Sequence, residues 1–259
     1  MATFQFLGTG ASAGVPVIGC DCSICKSKDP FNYRLRPSGL LRMQDRIIVI
    51  DVGPDFRWQA LKYQIDSLDG VLLTHTHYDH IAGIDEIRAF NIHQKRNVPI
   101  LLSQSSMDDL KKRYDYLFQE KEEKGSFAAQ LDPQILPQKT GTVDFLNLSI
   151  QYVSYFQAKM EITGYRIGNF AYITDIREYD DSIFDFLNGV EILVLSALKE
   201  DRSYVHFSFE EAIAFSRKVK SKKTWLTHLS HASDHRDVCK RLPPDVQLGY
   251  DGQEISFYE

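Results

Sequence analysis

Short apolar runs punctuated by glycine, proline and serine alternate with helix-like stretches along the whole chain. FQFLG, GLLRM and RIIVIDVG read as strands, and a helical pattern follows from about Phe56 to Ile65. After the strand VLLTH, helical patterns cover Ile81 to Ile92 and Asp108 to Lys124. The second is amphipathic with a charged outer face, and a weakly patterned loop follows it. Between Val143 and Asp175 the pattern predicts three antiparallel strands, DFLNLSIQYVSYF, ITGYRIG and NFAYITD, with Gly168-Asn169 as a hairpin turn. A short helix and the buried-looking strand VEILVLSAL come next. Then Ser208 opens a helix with Glu211 three residues on, a capping box, and TWLTHL and QLGYDGQEISF close the chain. Many strands in mixed order with helices between them predict a layered α/β fold.

Composition narrows this only slightly. The 259 residues, 43% apolar and 25% charged, suit a single domain over residues 1–259. No run approaches the roughly 18 apolar residues of a membrane span, so no membrane partner is expected. The start, MATFQFLGTGASAGVP, has neither the basic opening nor the apolar stretch of a signal peptide, which makes a cytoplasmic location the default expectation. A net charge of −5 argues against a protein that coats nucleic acid, and the basic runs at Lys111 to Arg113 and Arg217 to Lys223 read as solvated faces.

Three separate strands end alike. VLLTH closes on His75, AYITD on Asp175 and TWLTH on His228, each an apolar run followed by Thr and then a residue able to ligate a metal. Ligand sites in layered α/β proteins gather beyond the carboxyl ends of strands, so these endings are expected to share one rim. One histidine at a strand end is more often a hydrogen-bonded turn residue. Four neighbouring groups, His75, His77, Asp79 and His80, repel or desolvate one another unless something joins them, and neutral imidazole with carboxylate is the donor set of Zn, Mn or Fe. In an extended segment His75 and His77 point the same way, while Asp79 and His80 fall where the chain turns into a helix, an arrangement that suits two adjacent cations.

A second cluster lies in the loop Gly19-Cys20-Asp21-Cys22-Ser23-Ile24-Cys25. Thiolate coordination of zinc is the better reading than a disulfide or a redox pair. Three thiolates need a fourth partner, for which Cys239 and His231 are candidates.

His75-Thr76-His77-Tyr78-Asp79-His80 resembles the HxHxDH signature of metallo-β-lactamase-fold hydrolases, and LGTGASAGVPVIGCDCSIC with THLSH resembles their PhnP-like phosphodiesterase branch. The resemblance implies a four-layer αββα sandwich with a dinuclear site at one edge. It also implies a structural zinc on Cys20, Cys22, Cys25 and His231, leaving Cys239 unassigned. In the catalytic site it implies two Zn or Mn ions, the first on His75, His77 and a further histidine, the second on Asp79, His80 and His228, with Asp175 bridging. The departure is at Gln157 in SYFQAKMEITGY, where the family pattern has histidine. An amide oxygen is a weaker donor, so the first cation is expected to be weakly held or to wait for substrate.

His206 in YVHFSFEEA matches a histidine that the branch places near the substrate phosphate, where it protonates the leaving alkoxide or holds a phosphoryl oxygen. With Asp79 it is a catalytic candidate. His93 and His235 read as surface residues, and Arg34 and Arg36 as structural partners near the cysteine loop. The expected activity is hydrolysis of a small phosphodiester, such as a cyclic one. Two cations roughly 3.5 to 4 Å apart would lower the pKa of a bridging water to about 7 and hold the resulting hydroxide in line with phosphorus. The alternatives are a thioester or carboxylic ester hydrolase of the same fold and a non-catalytic metal-binding relative. Nucleic acid is a weak partner candidate, and a homodimer is compatible with the resemblance.

Overall fold

The computed structural model describes residues 1–119 and 127–259. The first half of the chain runs β1 (Ala2–Gly8), β2 (Ser38–Met43), β3 (Arg46–Ile50), α1 (Phe56–Lys62), β4 (Gly70–Leu72), α2 (Tyr78–Ile81), α3 (Arg88–Gln94), β5 (Val98–Leu102), α4 (Gln104–Arg113) and β6 (Leu131–Ile135). The second half runs β7 (Thr140–Phe145), β8 (Leu148–Gln157), β9 (Met160–Ile167), β10 (Phe170–Ile173), α5 (Ile183–Phe186), β11 (Ile192–Ser196), α6 (Phe209–Val219), β12 (Lys223–Thr227), α7 (His235–Cys239), β13 (Val246–Leu248) and β14 (Glu254–Phe257).

These strands form two seven-stranded mixed sheets, β14-β1-β2-β3-β4-β5-β6 and β13-β12-β11-β10-β9-β8-β7. The sheets face each other across a core rich in aromatic rings. Phe4, Phe6, Phe170, Tyr172 and Phe257 are all buried there, with Phe170 stacked on Phe257 at 4.7 Å between centroids. A second core lies under α1 to α4 around Val49, Phe56 and Ile100, and a third under α5 to α7 around Leu193, Ala212 and Phe215. The layers are therefore α, β, β, α, as the resemblance implied. No helix among the described residues is long and apolar enough to cross a membrane.

Several elements depart from the sequence pattern. DFLNLSIQYVSYF is broken by a two-residue turn at Leu146 and Asn147, both left-handed at φ 60° and 65°, so its first residues belong to β7 and the rest to β8. Leu146 hid the turn by continuing the apolar run. The loop expected before Val143 contains β6 and the start of β7. The helix expected over Ile81 to Ile92 is a 3-10 turn at Ile84–Ile87 running into α3. The helix expected from Asp108 starts at Gln104 instead, because Ser103 caps it by accepting from the Ser106 amide. It ends at Arg113, a 3-10 turn at Asp115–Leu117 follows, and expected positions 120–124 lie outside the described residues.

Both sheets bring their strand ends to one edge, and two cross-ties lock them there: Tyr165 on β9 donates its hydroxyl to the Leu73 carbonyl at 2.7 Å and the Thr163 amide donates to the Thr74 carbonyl at 2.8 Å. Within the second sheet, Tyr155 on β8 donates to the Thr174 carbonyl at 2.7 Å. Gly53 matters at the same edge. A Cβ at this position would lie 2.0 Å from the Asp79 carbonyl oxygen, so only glycine lets the exit of β3 pass under the start of α2.

Candidate metal centre

Three residues within two positions of a strand's end at this edge are left-handed without being glycine: Asp51 directly after β3 (φ 62°), Asp175 two residues past β10 (φ 53°) and His228 directly after β12 (φ 61°). Such a backbone costs on the order of 1–3 kcal/mol per residue and persists where packing over-determines it. All three side chains are buried and turn into the same pocket.

Asp51 organises two of the histidines. Its Oδ1 accepts from the Thr74 amide at 2.8 Å, and its Oδ2 accepts from the Thr74 hydroxyl at 2.7 Å and from His80 Nδ1 at 2.6 Å. With the Thr74 proton given to Asp51, the Thr74 oxygen accepts from His75 Nδ1 at 3.0 Å. Both imidazoles therefore keep a proton on Nδ1 and turn Nε2 into the pocket. A carboxylate behind a ligating histidine does this in metal sites. His80 Nε2 is buried with no hydrogen-bond partner.

The separations fit a cation. Two donors each about 2.0–2.1 Å from one ion at a tetrahedral angle lie about 3.4 Å apart. His80 Nε2 and His228 Nε2 each lie 3.4 Å from Asp79 Oδ2, and each lies 3.2 Å from an oxygen of Asp175, Oδ2 for His80 and Oδ1 for His228. These four edges close a ring. The second position expected from the sequence, Asp79, His80 and His228 with Asp175, thus has the spacing of one coordination shell.

On the other side, His75 Nε2 lies 2.9 Å from His77 Nδ1, and His75, His80 and Asp175 offer donor atoms all within 4.8 Å of one another. Gln157 stands where a third imidazole was missing, its Nε2 donating to Asp175 Oδ1 at 3.2 Å and lying 3.0 Å from His206 Nδ1. The sequence-named residues His75, His77, Asp79, His80, Gln157, Asp175, His206 and His228 are all brought to this pocket.

Electrostatics express the same crowding. Burial alone would depress His80, but Asp79, Asp51 and Asp175 outweigh it and hold its pKa well above the ordinary value. His228 is raised in the same way, against burial, by Asp175 and Asp79. Burial opposes ionisation of Asp175, yet His228 and His80 keep it ionised well below the usual carboxylate range. Burial pushes His75 well below its usual value, and burial followed by the charge of His228 pulls His206 down to about 4. A neutral imidazole at 206 must gain a proton before it can give one to an alkoxide.

Sequence reading missed the supports. Asp51 ends an apolar strand just as Asp175 does, and that shared ending was its signal. The segment between His75 and His77 is held from α4: Thr76 donates to Asp109 Oδ2 at 2.5 Å, and Arg113 donates to the Thr76 carbonyl at 2.9 Å while pairing with Asp109 at 2.7 Å. Arg113 is thus anchored where a solvated face was expected.

The cysteine loop forms a separate cluster. Sγ of Cys20, Cys22 and Cys25 lie 3.3, 3.5 and 3.5 Å from His231 Nδ1. A thiolate and an imidazole on one tetrahedral zinc stand about 3.5 Å apart by the same geometry. The Cys25 amide and then His231 pull the Cys22 thiol down to about 6. Cys239 takes no part in this cluster and packs, half-buried, against the outer core.

Arg34 is buried and donates to the carbonyls of Ser230 and Ser233 at 2.8 and 3.1 Å, fixing the THLSH segment that carries both His228 and His231. Arg36 pairs with Asp55 at 3.0 Å. His93 is exposed on α3. His235, expected at the surface, is buried, its ring stacked on Phe31 at 4.9 Å and its amide donating to Asn32. The stacking takes the ring out of water, which the charged neighbourhood SDHRD does not reveal.

A family described as the β-lactamase superfamily domain matches residues 46–229. An octanoyltransferase of Porphyromonas gingivalis is 34% identical over 252 residues, 96% of this chain; the chain spans only 50% of that relative's length. Among solved structures, a diphosphatase described as from the PhnP family superposes with a TM-score of 0.91 at 33% identity, covering 100% of this chain and 98% of the other. Zinc-bound PqqB from Methylobacterium extorquens shares the fold, with a TM-score of 0.76 at 17% identity over 98% of this chain and 100% of its own.

Proposed function

The chain belongs to the β-lactamase superfamily, and from that premise we propose that it is a metal-dependent hydrolase of a small phosphodiester. The observation that carries the reading is the closed ring of nitrogen and oxygen edges, 3.2 to 3.4 Å, joining His80 and His228 to Asp79 and Asp175. Those four residues hold one cation; His75 and His77, with Asp175 shared, hold the other, and Gln157 makes that position the weaker.

Bound divalent cations supply an acidified water and neutralise charge that develops on the phosphoryl oxygens. The chain's own residues do the rest. Asp51 holds the Nδ1 proton of His80 and, through Thr74, that of His75, so that Nε2 of each faces the cation positions; the second proton that the surrounding carboxylates favour on His80 leaves when a cation binds. The cross-ties from Tyr165 and Thr163 keep the two sheets' contributions in register, and Tyr155 braces Thr174 beside Asp175. Asp79 acts as a catalytic carboxylate of the pocket. His206, 9% exposed against 1% for His228, borders Asp175 toward the more open side and touches the reacting region. The Cys20, Cys22, Cys25 and His231 cluster holds a structural zinc, because His231 and His228 share one short segment and a clamp on the first steadies the second.

Phosphorus is favoured over carbon as the centre attacked by the likeness along the whole chain to a PhnP-family diphosphatase. One observation favours an acyl compound: the octanoyltransferase relative at 34% identity. Metal quantification with an assay panel on this chain and on Gln157→His tests both. Bis-p-nitrophenyl phosphate, a dinucleoside diphosphate and an acyl thioester are compared with added Zn or Mn. Faster turnover of a phosphorus compound, increased by Gln157→His, is expected. Preference for the thioester overturns the phosphodiester reading, and absence of turnover of all three in excess cation overturns the hydrolase itself.

A further inference from the structure

Resting on the hydrolase reading above, we infer that Arg177 is a positioning residue that sets His206 against Asp175. Three side chains meet in the pocket: Gln157 donates to Asp175 Oδ1 at 3.2 Å and lies 3.0 Å from His206 Nδ1, which is itself 3.4 Å from that Asp175 oxygen. They come from the end of β8, the loop after β10 and the loop before α6, and the backbones of the same three segments meet again at Arg177. Its amide donates to the carbonyl of Phe156, next to Gln157, at 3.1 Å. Its Nη1 lies 3.5 Å from the His206 carbonyl, and Asp175 stands two residues before it.

The junction is built from more than one bond. The same Nη1 donates to Glu211 Oε1 at 2.9 Å, while Glu211 Oε2 accepts from the Ser208 amide at 2.9 Å and closes the capping box of α6. One carboxylate thereby ties the guanidinium to the helix start that lies two residues beyond His206. Phe156 and Glu178 exchange both backbone hydrogen bonds at 2.8 Å, and the ring of Tyr179 meets that of Phe207 edge-on at 6.1 Å. Residues 177–179 therefore hold β8 on one side and residues 206–207 on the other.

For stability alone this pair counts for little. The Arg177 and Glu211 side chains are 26% and 25% exposed, where solvent screens most of an ion pair's attraction. Its leverage is on direction. Leu198 donates to the Phe207 carbonyl at 2.9 Å and Phe209 to the Lys199 carbonyl at 3.0 Å, which pins the base of the segment; among the described residues the backbone of His206 itself is hydrogen-bonded only to Arg177. A displacement of about 1 Å in a group that faces the reacting atoms costs up to about 100-fold in rate. Arg177 is turned to Glu211 and to the His206 carbonyl, so it acts on the reaction through His206.

Steady-state hydrolysis of bis-p-nitrophenyl phosphate by the full chain in excess Mn tests this, with cobalt(II) titration of each variant as a second readout. Arg177→Met should lower kcat by about tenfold and leave KM and the cobalt affinities within about twofold of wild type. Arg177→Lys should recover part of the loss, and Glu211→Gln, which keeps the capping box, should lower kcat severalfold. In a His206→Ala background Arg177→Met should cost no further kcat, because the group it positions is gone. Should Arg177→Met not fold, Glu211→Gln alone and with His206→Ala decides in the same way. A full additional loss in the His206→Ala background overturns the inference. So does unchanged kcat in both Arg177→Met and Glu211→Gln, or loss of cobalt uptake in both, since the pair would then be a prop of the whole pocket. A wild type that turns over no phosphodiester in excess cation overturns the hydrolase reading and this inference with it, whereas each of the other three results leaves that reading standing.

Discussion

His80 Nδ1 lies 2.6 Å from Asp51 Oδ2, with neither side chain exposed to solvent. Asp51 also takes the Thr74 hydroxyl proton, and through it orients His75, so one carboxylate aims a histidine at each of the two cation positions. Asp51→Asn should therefore weaken both positions, by about 10- to 100-fold each, more than a change behind a single ligand would. Isothermal titration with zinc measures this; a loss confined to one position would show that the relay through Thr74 does not operate.

Arg113 and Asp109 act on the other side. They hold Thr76 between His75 and His77, on the first cation's side of the pocket. Arg113→Ala should weaken the first cation severalfold and leave the second unchanged. Arg113→Lys, which keeps a charge but loses the forked geometry, should recover only part. Cobalt absorption resolves the two positions.

The cysteine loop makes a prediction about stoichiometry. Chelation-resistant zinc in the purified protein should fall by one equivalent per chain in His231→Ala and in Cys22→Ser, with a lower melting temperature in both. Because His231 stands three residues beyond His228, catalytic-site affinity should fall as well. Full zinc retention in both variants, measured by plasma mass spectrometry, would remove the cluster's assigned role.

Asp251 supplies a pH dependence remote from the metals. It is half-buried, its carboxylate accepting from the Thr9 amide at 2.8 Å, the Thr9 hydroxyl at 2.7 Å and the Leu35 amide at 2.8 Å, yet the loss of solvent around it outweighs these and raises its pKa from 3.8 to about 6. A carboxyl with a raised folded pKa contributes stability that is fully present below about pH 4 and lost as pH rises through about 6. A two-unit shift corresponds to roughly 3 kcal/mol. Asp251→Asn has no such proton to lose, so its cost relative to wild type should be larger at pH 4 than at pH 7 by up to about that amount. Urea unfolding at the two pH values reads it; a pH-independent difference would place Asp251 at an ordinary pKa.

The sequence alone carried the donors and the layering. His75, His77, Asp79 and His80 lie within six positions, and local geometry suffices to make their crowding unfavourable without a cation. Strand and helix periods likewise act over a few residues, which is why a layered α/β fold was readable; the αββα order came from the family resemblance. The turn at Leu146-Asn147 was not, because an apolar residue in a left-handed turn looks like a strand residue until the register of β7 against β8 is known.

What only the tertiary structure decided is which distant groups share an ion, a proton or a ring face. Asp51 meets His80 from 29 positions away, His206 meets Gln157 from 49, and His231 meets Cys20 from 211. Hydrogen bonds and coordination act over about 2–3.5 Å, and no local periodicity encodes which segments two packed sheets bring that close. His235 makes the same point in reverse: its charged neighbours suggest solvent, while packing against Phe31 puts it inside.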